Sequence, residues 1–446
     1  MANISVDFKK HIGTIKPVHG VGQGPAYGTG FSLFHYLTDA GIPYSRLHDV
    51  GGPYGGFRWV DVPNIFRDFD ADENDPASYD FTFTDMHISA LMKAKVEPYF
   101  RLGVTIENNA AIKAYRIFPP ADFAKWARIC EHIIRHYTEG WADGFNYKIE
   151  YWEIWNEPDS KPDPMQSMMW RGTPEQYFEF YSVASKHLKS CFPNIKIGGY
   201  GSCGFYYIFE EKRNQPENTE RFTHYFNFFH KFIKSVKENG APLDFFSWHI
   251  YDSNMMRIKG YMDYVRAELD KAGFEHTESS CNEWNADSGM RGTYLHASKT
   301  CATLLIFQNG SVDNAMFYDA RFGAGRYSGM FNPETSAPYP AYYAFVAYNR
   351  LYELKNQSEL ILDDERLFAA AAENGGRGCL LIANPTTDDI PLEISANGDP
   401  IVSLITTEGK MKSPGDVPVT DPRCDGAIPF PSVIPAESFI SIIYNT

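Results

Sequence analysis

A (β/α)₈ barrel followed by a small antiparallel β-sandwich is the fold class that this sequence predicts, on three observations. Strand-like apolar runs alternate with amphipathic stretches over residues 12–354, eight of each. After Leu354 the helical periodicity stops, and short β-rich runs separated by turns replace it. A length of 446 residues holds either one large barrel with a smaller domain or three average domains, and buries an extensive core in both cases. The alternation favours the first arrangement.

The strand candidates, in order, are Thr14–Gly20, Pro43–His48, Val96–Leu102, Ile149–Trp155, Ile195–Tyr200, Asp244–His249, Thr277–Glu283 and Val312–Tyr318. The helical stretches are Phe31–Ala40, Thr84–Lys95, Ala121–Tyr137, Pro174–Ser190, Glu220–Glu238, Tyr261–Ala272, Thr293–Gln308 and Ala341–Leu354. Two of them carry explicit start signals. Thr173 precedes a proline at the first helical position, Pro174, and Asp122 follows Pro119 and Pro120. The sandwich is expected over residues 355–446 from Leu367–Ala372, Gly378–Ala383, Ile390–Ile394, Ile401–Thr406 and Ser438–Tyr444. Residues 1–11 alternate around Asn3–Phe8 and are expected to add a strand to it.

Composition narrows the partners. A net charge of −15 repels nucleic acid and other polyanions. The aromatic content of 15% suits stacking on sugar rings, although core packing accounts for most of it. Seven cysteines without a Cys-x-x-Cys spacing argue for reduced, buried thiols and against a disulfide framework or zinc site. The first ten residues lack an apolar signal region, and no apolar run has spanning length. The expectation is a soluble chain with no membrane partner, cytoplasmic as written and periplasmic or secreted if a leader is removed. Asp70, Asp72, Asn74 and Asp75 imitate the start of a calcium loop, but Asp75 stands where its glycine belongs and Phe81 where its glutamate belongs. No metal and no cofactor are expected.

In a barrel of this type, side chains at the C-terminal strand ends converge on one face. The fourth strand ends in Trp155-Asn156-Glu157-Pro158 and the seventh in Asn282-Glu283-Trp284, so two carboxylates 126 residues apart in sequence face each other across the mouth. Such a pair can hydrolyse a glycosidic bond: Glu157 protonates the leaving oxygen, Asn156 binds the neighbouring hydroxyl and Glu283 attacks the anomeric carbon. The structural alternatives are a helix-capping role for Glu157 and, for Glu283, an ion pair with Arg46 or Arg101. Glu153 is expected in the barrel interior or its wall. The long segment after the second strand, Val50–Asp80, offers Tyr54, Phe57 and Trp59 either for stacking on a sugar or for anchoring the segment to the barrel, and Asp319–Asn332 offers a glycine-rich closure of the cleft.

These strand ends, with Ser247-Trp-His-Ile-Tyr251, resemble the clan A glycoside hydrolases. Tyr44-Ser-Arg-Leu-His-Asp49, Tyr79-Asp-Phe-Thr-Phe-Thr-Asp85 and Glu97-Pro-Tyr-Phe-Arg-Leu-Gly103 narrow the resemblance to family 39, which contains β-xylosidases and α-L-iduronidases. The likeness spans residues 12–350. It implies that Glu157 is the acid/base and Glu283 the nucleophile. By the same resemblance Asn156 contacts the sugar, Arg46 and Tyr251 hold the nucleophile ionised, and His48 and His249 line the glycone subsite. Arg46 should lower its carboxylate's pKa, whereas Glu157 needs its own raised. Trp284 and Tyr318 complete the candidate substrate-binding set.

Around the pair the sequence departs from the family's xylosidases. Cys281 and Asn282 precede Glu283 where those enzymes carry a Thr-Glu pattern, and His48-Asp49-Val-Gly-Gly replaces His-Gly-Leu-Leu. Lys16–Pro25 is similar to a branch that includes enzymes acting on arabinose-containing plant glycans. The expected activity is therefore retaining hydrolysis of xylose- or arabinose-containing oligo- or polysaccharides, with a carbohydrate-binding barrel of little activity as the alternative. A metal-dependent barrel would need clustered ligands at strand ends, and only the separated His48 and His249 are present.

Overall fold

The computed structural model describes all residues except 25–32, 51–58, 106–115, 321–328, 333 and 406–431, with the backbone alone at 288 and 401–405. Tyr54, Phe57 and most of the glycine-rich segment after the eighth strand therefore lie outside the described residues. An N-terminal strand β1 (Ala2–Thr14) precedes eight parallel strands that close into a barrel. These are β2 (Gly20–Gly22), β3 (Tyr44–Arg46), β4 (Glu97–Leu102), β5 (Tyr151–Ile154), β6 (Lys196–Ser202), β7 (Phe245–Tyr251), β8 (Glu278–Asn285) and β9 (Asn314–Phe317). Their residues are almost all buried, as expected for strands covered by helices on one side and by the barrel interior on the other.

One barrel strand is displaced from its expected position. The sequence suggests Thr14–Gly20, but β1 continues pairing with the strand after the barrel as far as Thr14 opposite Asn356, so the first barrel strand begins only at Gly20. Pro17 lies between the two and has no N–H to contribute to a ladder. The helix starts follow their local signals. The Thr173 hydroxyl accepts from the Gln176 amide at 3.1 Å while the Gln176 side chain accepts from the Thr173 amide at 2.9 Å, a reciprocal capping box. Asp122 caps the helix Phe123–Thr138 by accepting from the Lys125 amide at 2.9 Å.

The barrel interior is layered. Tyr99, Tyr151, Phe245 and Met316 form an apolar plug. Above the plug, toward the C-terminal ends, Arg46, Glu153, Ser247 and Asn282 make a polar layer. Close approach of neighbouring strands demands glycine at 198, where a β-carbon would sit 2.1 Å from the Phe245 carbonyl oxygen.

The remaining strands are β10 (Asn356–Leu362), β11 (Phe368–Asn374), β12 (Arg377–Asn384), β13 (Ile390–Ala396), β14 (Asp399–Ile405), β15 (Val433–Ile434) and β16 (Ser438–Asn445). With β1 they form one eight-stranded sheet in the order β14-β16-β12-β11-β10-β1-β13-β15. All its pairings are antiparallel except β1 beside β13. Alternation divides its side chains between two apolar environments. Ala371, Leu380, Ile382, Ile440 and Ile442 join Ile4, Val6 and Phe8 in the sheet's own core, while Ala372, Cys379, Leu381, Ala383 and Phe439 face the main core shared with the barrel helices. Both faces are covered, which is why these strands read as continuous apolar runs rather than alternating ones.

Candidate active site

The fourth-strand segment turns sharply where β5 ends. Trp155 has φ +75° and Glu157 φ +43°, values that side chains other than glycine rarely adopt, and each costs on the order of 1–2 kcal/mol. Packing holds the first in place: the Trp155 indole donates to the Met169 carbonyl at 2.9 Å and meets Trp126, Trp170 and Phe180. The Glu157 amide donates to the Gly201 carbonyl at 3.0 Å. The turn aims Asn156 and Glu157 at the barrel axis.

A β-bulge does the same for β8. Ser247 pairs with Ser280, yet His249 pairs with Glu283, so β8 contains one extra residue over this stretch. As a result the successive side chains of Asn282 and Glu283 both face the interior: Asn282 donates to Glu153 Oε1 at 2.7 Å and Glu283 accepts from Arg46. Trp284 then points the other way. It packs against Phe307, Phe317 and Phe345 beneath the helices, so the expectation that it binds substrate is corrected: the bulge spends its inward position on Glu283.

Arg46, fully buried, ties these parts together. Its Nε donates to Glu153 Oε2 at 2.8 Å, its Nη1 to Glu283 Oε2 at 3.1 Å and its Nη2 to Asn156 Oδ1 at 2.6 Å. Glu153 is satisfied further by Ser247 Oγ at 2.6 Å. Burial alone would disfavour the guanidinium charge, but Glu153 and Glu283 outweigh it and hold Arg46 charged. Arg101, the other possible partner of Glu283, is engaged elsewhere, with Asp61 at 2.8 Å.

Glu283 accepts on its second oxygen from the Tyr251 hydroxyl, so each carboxylate oxygen has a dedicated donor. Glu157 lies opposite, with 18% of its side chain exposed against 9% for Glu283. One oxygen of each carboxylate and a nitrogen of His249 lie within 4.8 Å of one another. His249 is fully buried beneath the pair rather than lining an open subsite; its Nδ1 is 2.8 Å from Glu157 Oε1 and 3.6 Å from Glu283 Oε2. His48 Nε2 is 3.3 Å from Asn156 Nδ2 and 3.2 Å from Asp49 Oδ1. Tyr318 donates to Asp49 Oδ2 at 2.6 Å and accepts from Gln23 at 2.9 Å. Asp49 thus links Tyr318 to His48, and His48 meets the cluster at Asn156.

The protonation balance differs from the sequence expectation. Burial is the largest influence on both carboxylates and pushes both up. At Glu283 the charge of Glu157 adds to burial, and His249, Arg46 and Tyr251 together do not cancel the rise. At Glu157 the hydrogen bonds from His249 and Cys203 and the charges of His249 and Arg46 outweigh burial and bring it below the ordinary range. His249 is raised in turn: burial opposes its charge, but Glu283 and Glu157 prevail. These directions favour a charged imidazole beside an ionised Glu157, where sequence reasoning places the proton on Glu157, and the three groups titrate together. Asp159, which sequence reasoning did not single out, is fully buried behind Glu157. Burial and the charge of Glu157 push it up to about 7 although Ser202 Oγ and the Cys203 amide donate to it at 3.1 and 3.2 Å.

A closed parallel barrel with two carboxylates held across its C-terminal mouth defines a glycoside-hydrolase class of protein. Residues 41–272 match the profile of glycosyl hydrolases family 39, and the chain belongs to that family. It is a glycoside hydrolase. It is 21% identical over 379 residues to a β-xylosidase of Geobacillus stearothermophilus, covering 73% of this chain and 67% of that one. The fold is similar to a glucosidase from Croceicoccus marinus (TM-score 0.76, 20% identity, 100% and 99% of the two chains). It is also similar to a family 39 β-xylosidase from Caulobacter crescentus (TM-score 0.69, 18% identity, 100% of both chains). Among the described residues no helix is long and apolar enough to cross a membrane.

Replacing Arg46 by Met is expected to lower unfolding stability by about 3–5 kcal/mol, because Glu153 is left buried without its cation. Chemical denaturation measures this, and removing Glu153 as well, as Arg46→Met/Glu153→Met, is expected to recover part of the loss. A single-variant cost below roughly 1 kcal/mol would show that the pair does not hold the barrel mouth together. A second outcome concerns pH. Asp159 keeps its proton in the folded chain up to about pH 7 but loses it near pH 4 when unfolded, so its contribution is complete below about pH 4 and disappears as pH rises through 7. Between pH 5 and 8 the wild type is therefore expected to lose roughly 2–3 kcal/mol relative to Asp159→Asn. Parallel pH dependence in the two proteins would refute the raised value.

Proposed function

We propose that the chain is a retaining glycosidase that acts on xylose- or arabinose-containing plant-type oligo- or polysaccharides by double displacement. The carrying observation is the closeness of the two carboxylates, with one oxygen of Glu157 and one of Glu283 within 4.8 Å, which supports direct attack. Glu283, held by Arg46 and Tyr251, attacks the anomeric carbon, and Glu157 protonates the departing oxygen. Asn156, fixed by Arg46, is placed for the hydroxyl beside the reacting carbon.

The Glu157–His249 pair supplies the proton. As substrate fills the cleft and displaces water, desolvation raises Glu157, and the proton crosses the 2.8 Å bond from Nδ1 to Oε1. Formation of the glycosyl ester removes the charge of Glu283. That lowers the proton affinity of Glu157, which by then has given up its proton and acts as base on the incoming water. The similarity to a β-xylosidase supports a pentose in the glycone site, and Asp49, bonded to Tyr318, changes the polar lining beside it.

Proton NMR during early turnover is expected to show product with the anomeric configuration of the substrate; an inverted first product would remove Glu283 as nucleophile. Glu157→Ala is expected to lower kcat/KM on natural glycosides by about 10³-fold while sparing aryl glycosides with good leaving groups. Equal losses on both would remove its acid role.

A further inference from the structure

On the Glu157 side of the barrel mouth lies a cavity of about 470 Å³, bounded by the segments that follow β5, β6, β7 and β8. Four cations line it, Lys161, Lys212, Arg221 and Arg291, against the two carboxylates of Glu157 and Asp287. In a chain of net charge −15 such a surplus runs against the overall composition.

The nearby acids offset it only in part: Asp287 shares the lining, and Lys212 shares Asp252 with Arg257. Glu157 is already engaged by His249. Asp252, 3.9 Å from Lys212, is taken up by Arg257, whose Nε and Nη2 donate to it at 2.7 and 2.6 Å. Lys161 and Arg221 have no carboxylate partner among the described residues. Arg221 is also prepositioned: its guanidinium lies 5.3 Å from the Phe222 ring centre and 5.9 Å from that of Tyr225, and Nη2 donates to Asn218 at 2.8 Å. Its Nε is buried with no hydrogen-bond partner. A guanidinium held against two rings, with no carboxylate partner among the described residues, is fixed in place beside the cavity and keeps its charge for an anion.

We propose that this cavity receives an anionic leaving group, a sugar bearing a uronate carboxylate or a sulfate ester on the reducing side of the cleaved bond. The inference rests on the assignment of Glu157 as proton donor, because the group behind the protonated oxygen then occupies the space beside Glu157. The anion sits among Lys161, Lys212 and Arg221, and the glycone occupies the side of His48 and Tyr318. Specificity for the leaving group is thereby set by charge, and discrimination is greatest at low ionic strength.

The test uses the full chain and three glycosides of one sugar: a nitrophenyl glycoside and its ring-carboxylated and ring-sulfonated counterparts. The wild type is expected to favour the anionic substrates by about tenfold in kcat/KM at low salt, and added salt to erode that preference. In Lys212→Ala/Arg221→Gln the ratio of anionic to neutral kcat/KM is expected to fall to about one. Lys161→Ala, at a half-buried lysine on a surface loop, is expected to lower the ratio partway and supplies the answer if the double variant misfolds. A preference for carboxylate alone assigns a uronate; equal preference assigns any anionic sugar. A wild-type ratio near one, or a ratio unchanged in all variants, with the neutral glycoside still cleaved, overturns the anion site and leaves the glycosidase reading standing. Failure of the wild type to cleave any glycoside overturns both.

Discussion

Everything at the barrel mouth depends on one buried guanidinium. Arg46 projects from the short strand β3 and donates to three acceptors drawn from β5, the turn after it and β8. No water-exposed surface is available to any of its nitrogens, so its charge is sustained only while Glu153 and Glu283 stay where they are. The same contacts that keep the upper barrel together thus fix the distance between Glu157 and Glu283. Stability and chemistry share a single network.

The network treats the two carboxylates unequally. Glu283 has a donor on each oxygen and little exposure, which suits a group that must stay in one place to attack carbon. Glu157 is more exposed, rests on a strained turn and is bonded to a histidine that can hold or release a proton. Gly201 makes that arrangement possible: at φ +66° it is in the left-handed region, and a β-carbon there would lie 3.1 Å from His249 Nε2 and 3.2 Å from Asn156 Oδ1. On the far side of Glu157 the protein places cations, and on the far side of Glu283 it places Asp49, Tyr318 and Gln23. The two sides of the mouth thus differ in charge.

The strands and helices of the barrel were legible because each carries its own local signal. Runs such as Val96–Leu102 and Asp244–His249 are apolar over strand length, and Thr173-Pro174 announces a helix start. The first barrel strand is misplaced by the sequence pattern because the apolar character of Ile15 and Val18 belongs to a connection, and the length of β1 is decided by its pairing with β10, as far as Thr14 opposite Asn356. Glu157 and Glu283 stood out because each ends a strand after an asparagine. Trp284 looked equally well placed. Its direction depends on a bulge, which shows only in the pairing of β7 with β8.

The sequence by itself determined the barrel, the extra sheet and a carboxylate near the end of each of two strands, since periodicity, caps and strand-end residues are properties of consecutive positions. Tertiary structure alone decided which charges bear on Glu157 and Glu283 and which line the cavity beside Glu157. His249, bonded to Glu157, brings that carboxyl below the ordinary range while burial and the charge of Glu157 keep Glu283 above it, because a pKa reports every charge within a few ångströms, whichever strand it comes from. Lys161, Lys212, Arg221 and Arg291 come from separate segments with no shared motif, and only the closing of the barrel brings them around one cavity.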